Sequence, residues 1–168
     1  MTAVVGDDLA SYLRSNPGAV IEDVARERAV TPRAVLEALP AEMVTITGGA
    51  DAFVTAMQDI AGWGEVTLIV HTEDGIFEIT APVSEGQIGH GYFNLMNPKG
   101  LHGHLRHTRC GGVAFVERPF MGKPSAFVAF LNVDGGVMFK VFVGRDENRV
   151  LKADQLDRFR ALAGRISG

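Results

Sequence analysis

Between residues 7 and 61 the apolar positions recur every three or four residues, the spacing of a helix buried along one face. DDLASYLRSNPG puts Leu9, Tyr12 and Leu13 on one side, and Asn16-Pro17-Gly18 ends the helix. AVIEDVARERAV carries Val20, Val24 and Ala25 on a second stripe. In TPRAVLEALP, Thr31 is placed to cap a helix whose first residue is Pro32, and Pro40 closes it. A fourth helix is expected from about Asp51 to Ala61, with Gly62 as its C-cap.

After Trp63 the period changes from about 3.6 residues to two. EVTLIVH-TEDG-IFEITAP reads as strand, turn and strand, and SAFVAFLNV-DGG-VMFKVFVGRD as a second hairpin. GHLRHTRCGGVAFVERPF holds another strand or two. Phe127, Ala129 and Leu131 alternate with Val128, Phe130 and Asn132, so both faces of these strands are apolar and both are expected to be covered. A last helix, about Asp154 to Ala163, spaces Leu156, Phe159 and Leu162 three apart. Helices, then antiparallel hairpins, then one helix give an α+β class: N-terminal helices, a long antiparallel β-sheet and a C-terminal helix. The expected organisation is one domain over residues 1–168, with 1–62 helical and 63–168 the sheet and its closing helix.

Composition narrows the function classes. An apolar fraction of 46% suits a folded globule rather than a disordered chain. No apolar run is long enough to span a bilayer, and the N-terminus lacks the charged-then-apolar pattern of a secretory signal. A single cysteine excludes an internal disulfide framework, and the cytoplasm is the expected compartment. With a net charge of −4 the chain is a poor nucleic-acid binder. VIEDVARERAVTPRAVLEAL superficially resembles a helix-turn-helix, but Arg33 is the only base in its second helix, and a packing role is the better reading. No phosphate-cradling glycine motif follows a strand.

Four of the five histidines fall between His90 and His107, with Tyr92 and Cys110 in or beside the same window and His71 a little upstream. On a strand His102, His104 and Arg106 share a face and His107 opposes them; His90 and Tyr92 share one if their segment is extended. Three site chemistries compete with no site at all. Zinc would take His90, His102, His104 and Cys110, without a nearby carboxylate. A Ser–His–Asp set lacks a serine on a shaped turn, for Ser11, Ser84 and Ser125 have none. A flat cofactor of the heme kind would use the room left by Gly86, Gly89, Gly91, Gly100 and Gly103, the surface of Phe93, Leu95, Met96 and Leu101, and Lys99, Arg106 and Arg109 for carboxylates.

The segments GWGEVTLIVHTEDGIFEI, GHGYFNL, GLHGHLR, VAFVERPFMG and MFKVFVGRDENRVL resemble, in order and spacing, the bacterial intracellular heme utilization carriers of the HutX/ChuX family. The likeness runs nearly the whole chain and is densest from Trp63 to Leu151. It implies an α+β fold and a homodimer whose two copies together resemble one larger heme-handling protein. It also implies a cytosolic, non-enzymatic role: holding imported heme b and passing it to a heme-degrading enzyme for iron release. The family's heme-site positions fall here on His71 of VHT, Tyr92 of HGYFNL and His104 of GHLR. His90 belongs to the shared motif, while His102 and His107 are extras of this chain.

The expected site set is therefore Tyr92, His71, His104, His90, Phe93, Met96 and Arg106, with Tyr92 and His104 as the groups for iron. Phenolate is a hard anionic ligand that favours Fe(III), which suits a carrier that avoids O₂ chemistry. The rival readings are an enzyme that opens or modifies the tetrapyrrole, and a zinc-binding or helix-turn-helix regulatory domain. Glu117 and Arg118 of VERPF, Arg145 and Asp146 of FVGRD, Trp63 and Cys110 are read as turn, ion-pair or core residues.

Overall fold

The computed structural model describes residues 2–167, with side chains from residue 8 onward. Three helices come first: α1 (Thr2–Ser15), α2 (Ile21–Arg28) and α3 (Pro32–Glu37). A short strand β1 (Val44–Thr47) and helix α4 (Gly49–Ile60) follow, then β2 (Glu65–Thr72) and β3 (Gly75–Pro82). Three small strands, β4 (Gln87–Gly89), β5 (Tyr92–Met96) and β6 (His102–Leu105), precede the long β7 (Cys110–Phe120), β8 (Lys123–Asn132) and β9 (Val137–Phe142). Helix α5 (Ala153–Ser167) closes the chain.

Six strands pair antiparallel in the order β1-β7-β8-β9-β2-β3, and β4-β5-β6 form a separate three-stranded sheet. Alternation along the central strands feeds two cores at once. Val113, Phe115, Ala126, Val128 and Phe130 face α4, α5 and the small sheet. Ala114, Val116, Phe127, Ala129 and Leu131 face α1, α2 and α3. The expectation that both faces are covered is met for this physical reason: neither side of the sheet can be left to water.

The helices follow the same rule. Helix α4 buries Ala52, Phe53, Ala56, Met57 and Ile60, one stripe at helical spacing. Thr31 caps α3, accepting from the Ala34 amide at 3.1 Å, with Pro32 first in the helix as expected. Helix α4 ends one residue earlier than expected, at Ile60, and the left-handed residue beyond it is Gly64 (φ +87°), not Gly62.

Two further features depart from the sequence reading. The segment read as wholly helical contains β1, whose Val44–Thr47 pair with Val116–Val113 at the sheet edge. The long sheet is also not alone, because the histidine-rich window builds its own sheet, packed through Phe93 and Leu95 onto the first core. Arg33, the only base of α3, donates to Glu37 (2.8 Å) and to the Gly111 carbonyl (3.0 Å), so it is committed within the chain.

Candidate functional site

The small sheet sorts the window by parity. In β5, Phe93 and Leu95 are buried and Tyr92, Asn94 and Met96 face outward. In β6 the cross-strand partners are Asn94 with His104 and Met96 with His102, so both histidines share that outer face. The turn between β4 and β5 is built from His90 (φ +54°) and Gly91 (φ +83°). It is therefore not extended, and His90 reaches the site from a turn rather than by strand alternation.

His90, Tyr92, Asn94, His104 and Arg106 line an open recess of about 530 Å³, within the range of small-molecule sites. The Arg106 guanidinium lies 5.0 Å from the centre of the Tyr92 ring. The His104 ring stands edge-on to Tyr92 at 5.9 Å and to His102 at 5.9 Å. His104 Nδ1 lies 2.7 Å from Asn94 Oδ1. The recess thus combines a phenol, imidazoles and a guanidinium, which are donors for a metal centre and a counter-charge for carboxylates. A second recess, about 190 Å³ between β1, β7 and α5, holds the Glu117–Arg160 pair and neither a histidine nor a tyrosine.

Three expected residues sit elsewhere. Phe93 is fully buried, edge-on to Phe53 at 5.6 Å; next to outward Tyr92, alternation turns it into the core, so it is no wall of the recess. Met96 is exposed at the far end of β5, beside His102 and outside the recess lining. His71 does not line it either. In β2, Val66 and Leu68 face the first core, so His71 points to the opposite face of the large sheet. There its Nδ1 is 3.4 Å from Glu22 Oε2. Lys140 donates to that same oxygen at 2.9 Å and approaches Oε1 at 2.7 Å.

The zinc set does not assemble: among the described residues no three His, Cys, Asp or Glu side chains converge. Cys110 is buried and donates to the Gly112 carbonyl. Burial pushes its thiol up, against the smaller opposing effects of that hydrogen bond and of Arg33. His107 is buried against Phe53, with a ring-centre distance of 6.4 Å, and among the described residues its Nδ1 has no hydrogen-bond partner. Arg118 is structural: its guanidinium, pulled down by burial, donates to the carbonyls of Ala19 (2.6 Å) and Asn16 (3.4 Å) and so ties the turn between α1 and α2 to β7. Arg145 likewise donates to backbone carbonyls of Arg149 and Pro124.

Packing behind the recess sets how firmly Tyr92 is held. A Cβ at Gly86 would lie 2.1 Å from the Phe93 ring, which is itself fixed by Phe53. Gly86→Ala is therefore expected to lower stability by about 1–3 kcal/mol, the cost of overpacking a filled core. A urea midpoint shift at constant slope measures it.

The residue that sequence reasoning missed is Asn94. It sits in the quoted motif GHGYFNL, and its importance appears only with the cross-strand register to His104.

Comparison with known proteins places this site in a family. The model of the "Haem utilisation ChuX/HutX" family matches residues 46–162. Over 155 residues the chain is 38% identical to the intracellular heme transport protein HutX of Vibrio cholerae, covering 92% of this chain and 80% of that one. Among solved structures, a protein from Erwinia carotovora superposes with a TM-score of 0.89 at 46% identity, covering 94% of this chain and 98% of the other. The heme-binding protein ChuX does so with a TM-score of 0.85 at 36% identity, covering 95% and 99%. The α+β architecture, the large antiparallel sheet and the C-terminal helix are those of these structures. The match spans both the large sheet and the outer face carrying Tyr92, His104 and Arg106, and the chain belongs to the ChuX/HutX haem utilisation family.

Proposed function

We propose that the protein is a cytoplasmic heme carrier, acting as one functional unit over the whole chain, that receives imported heme b and delivers it to a heme-degrading enzyme. The observation that carries this reading is the convergence of Tyr92, His104 and Arg106 on one open recess. Tyr92 supplies the ligand oxygen for ferric iron, His104 stands beside it, and Arg106 offers its charge to a heme propionate. The recess opens to solvent, which suits a cargo that has to leave again. The names of the relatives, heme transport and heme binding, support a carrier rather than an enzyme. A hard phenolate ligand points the same way, because ring opening needs reduced, O₂-binding iron. No described helix is long and apolar enough to cross a membrane.

The working form is a homodimer. Strand β3 is a sheet edge, and its Ile76, Phe77 and Ile79 are 57%, 67% and 40% exposed. An apolar edge of this kind is a pairing surface unless something covers it. Ile76 is the register partner of His71, so a second copy on this edge would lie close to His71. Since His71 lies outside its own chain's recess, its part in heme binding is played towards the partner copy.

Sedimentation velocity of the hemin-loaded protein, followed at the porphyrin band, tests both statements together. The expected result is heme sedimenting with a dimer at a ratio near one per chain, and no bleaching of the band under reductant and O₂ with catalase present. Absence of saturable heme removes the carrier reading, and bleaching with iron release replaces it with the enzyme.

A further inference from the structure

We propose that Asn94 is a positioning residue: it holds His104 in the tautomer protonated on Nδ1, so that Nε2 is the nitrogen offered to a ligand, and as a lone pair. The premise is hydrogen-bond bookkeeping within the small sheet. Asn94 Nδ2 donates to the carbonyls of Gln87 (3.0 Å) and Gly89 (3.1 Å), and the Tyr92 carbonyl lies at 3.4 Å on the same side. Carbonyl oxygens only accept, so the atom facing them has to be the amide nitrogen. That orientation leaves Oδ1 on the other side, 2.7 Å from His104 Nδ1.

An amide oxygen carries no proton. A bond of that length therefore requires the proton on Nδ1; the other neutral tautomer would set two lone pairs against each other. A neutral imidazole has one N–H, so Nε2 is left bare. The order of dependence runs outward from the backbone. Strand β4 presents the carbonyls of Gln87 and Gly89, these orient Asn94, and Asn94 sets His104.

Register makes the arrangement specific to one histidine. Asn94 is the cross-strand partner of His104, whereas His102 is opposite Met96. Met96 has no amide to offer, and among the described residues no side-chain hydrogen bond fixes the His102 ring. Two histidines on one face thus differ in kind: His104 is set as a lone-pair donor and His102 is not set.

The functional consequence rests on the proposed heme reading. A ligating or hydrogen-bonded imidazole is commonly held by a partner on its other nitrogen, which fixes the ring and its tautomer. With Nε2 bare, His104 meets a heme as a nitrogen donor to iron or as an acceptor from a ligand hydroxyl. It does not meet a propionate as an N–H donor, and that contact is left to Arg106.

The tautomer is tested first on the heme-free wild-type protein, by long-range ¹H–¹⁵N correlation at a pH of about 8.5, well above the usual imidazole value of about 6.5. The expected pattern for His104 is a protonated Nδ1 and a bare Nε2; the reverse pattern overturns the proposal. Hemin titration of two variants then separates positioning from the bracing of β4. Asn94→Leu can neither accept from His104 nor donate to the carbonyls of β4. Asn94→Asp forgoes the donation but still accepts. Asn94→Leu is expected to lose the Nδ1–H pattern and to weaken hemin binding by roughly 10–100-fold, as loss of an outer partner does. Asn94→Asp is expected to keep the pattern and lose distinctly less. Equal losses in the two variants would mean that Asn94 acts only through the backbone, against the proposal. Because the wild-type tautomer is read without hemin, a protein that binds no heme would sink the carrier reading while leaving the tautomer result to stand or fall alone.

Discussion

Tyr92→Phe is expected to abolish the ferric heme spectrum of the wild type and to weaken hemin binding beyond the roughly 10–100-fold typical of losing an outer partner. The substitution removes one oxygen and little else. The ring stays, and with it the contact to Arg106 at 5.0 Å and the edge of His104 at 5.9 Å. Phe93, on the other side of the strand, keeps its place in the core. Any change is therefore assignable to the phenol oxygen rather than to a collapsed site. The variant also separates two ligand chemistries. With the phenolate gone, the imidazoles of His104 and His90 are the remaining nitrogen donors of the recess, His104 being the one whose ring stands against Tyr92, and imidazole binds both iron oxidation states where phenolate favours the ferric one. The residual complex is expected to shift towards a nitrogen-ligated spectrum and a higher reduction potential. An unchanged spectrum in Tyr92→Phe would remove tyrosine from the iron and pass the assignment to His104, with His104→Ala then predicted to lose what Tyr92→Phe kept.

How much of this could be read from the sequence depends on the range over which each feature is encoded. The hairpins at Thr72–Gly75 and around Asp134 were legible because their turns and their alternation lie within a few residues of one another. The shared face of His102, His104 and Arg106 was legible for the same reason. The inward direction of Phe93 follows from the same rule: if Tyr92 faces out, its neighbour faces in. Strand β1 was missed because four residues between two helices carry too short an alternation to stand out, even with the β-branched run Val44-Thr45-Ile46-Thr47. The small sheet was missed because its strands are three to five residues long and its first turn depends on a left-handed His90. The position of His71 relative to Tyr92 lay out of reach altogether. It depends on which face of β2 looks towards which layer, and that follows only once α2 and the small sheet are placed on opposite sides. Asn94 is the intermediate case: its residue type was in plain view within the motif, and its role waited on a register.

Among the described residues, the ion pair formed across the largest sequence distance is also the one whose disruption is expected to cost the fold most. Lys140→Met is predicted to destabilise the protein by about 3–5 kcal/mol, measured by urea unfolding. The side chains of Lys140 and Glu22 are only 9% and 11% exposed, and they come together from β9 and the first turn of α2, 118 residues apart. Lys140 also lies 5.2 Å from the centre of the Phe127 ring. Removing the ammonium leaves a carboxylate stranded between helix and sheet, with His71, at 3.4 Å, its one remaining ionisable neighbour among the described residues. The loss comes from that uncompensated charge and not from the net worth of the pair. The double variant Glu22→Leu/Lys140→Met is therefore expected to regain most of the stability, since two apolar side chains of similar volume fill the same space without a desolvation cost. The double variant also removes the Glu22 carboxylate that lies beside His71. If His71 serves heme in the dimer, the double variant should fold well and yet give an altered heme spectrum, whereas a purely structural triad predicts recovery of stability and spectrum together.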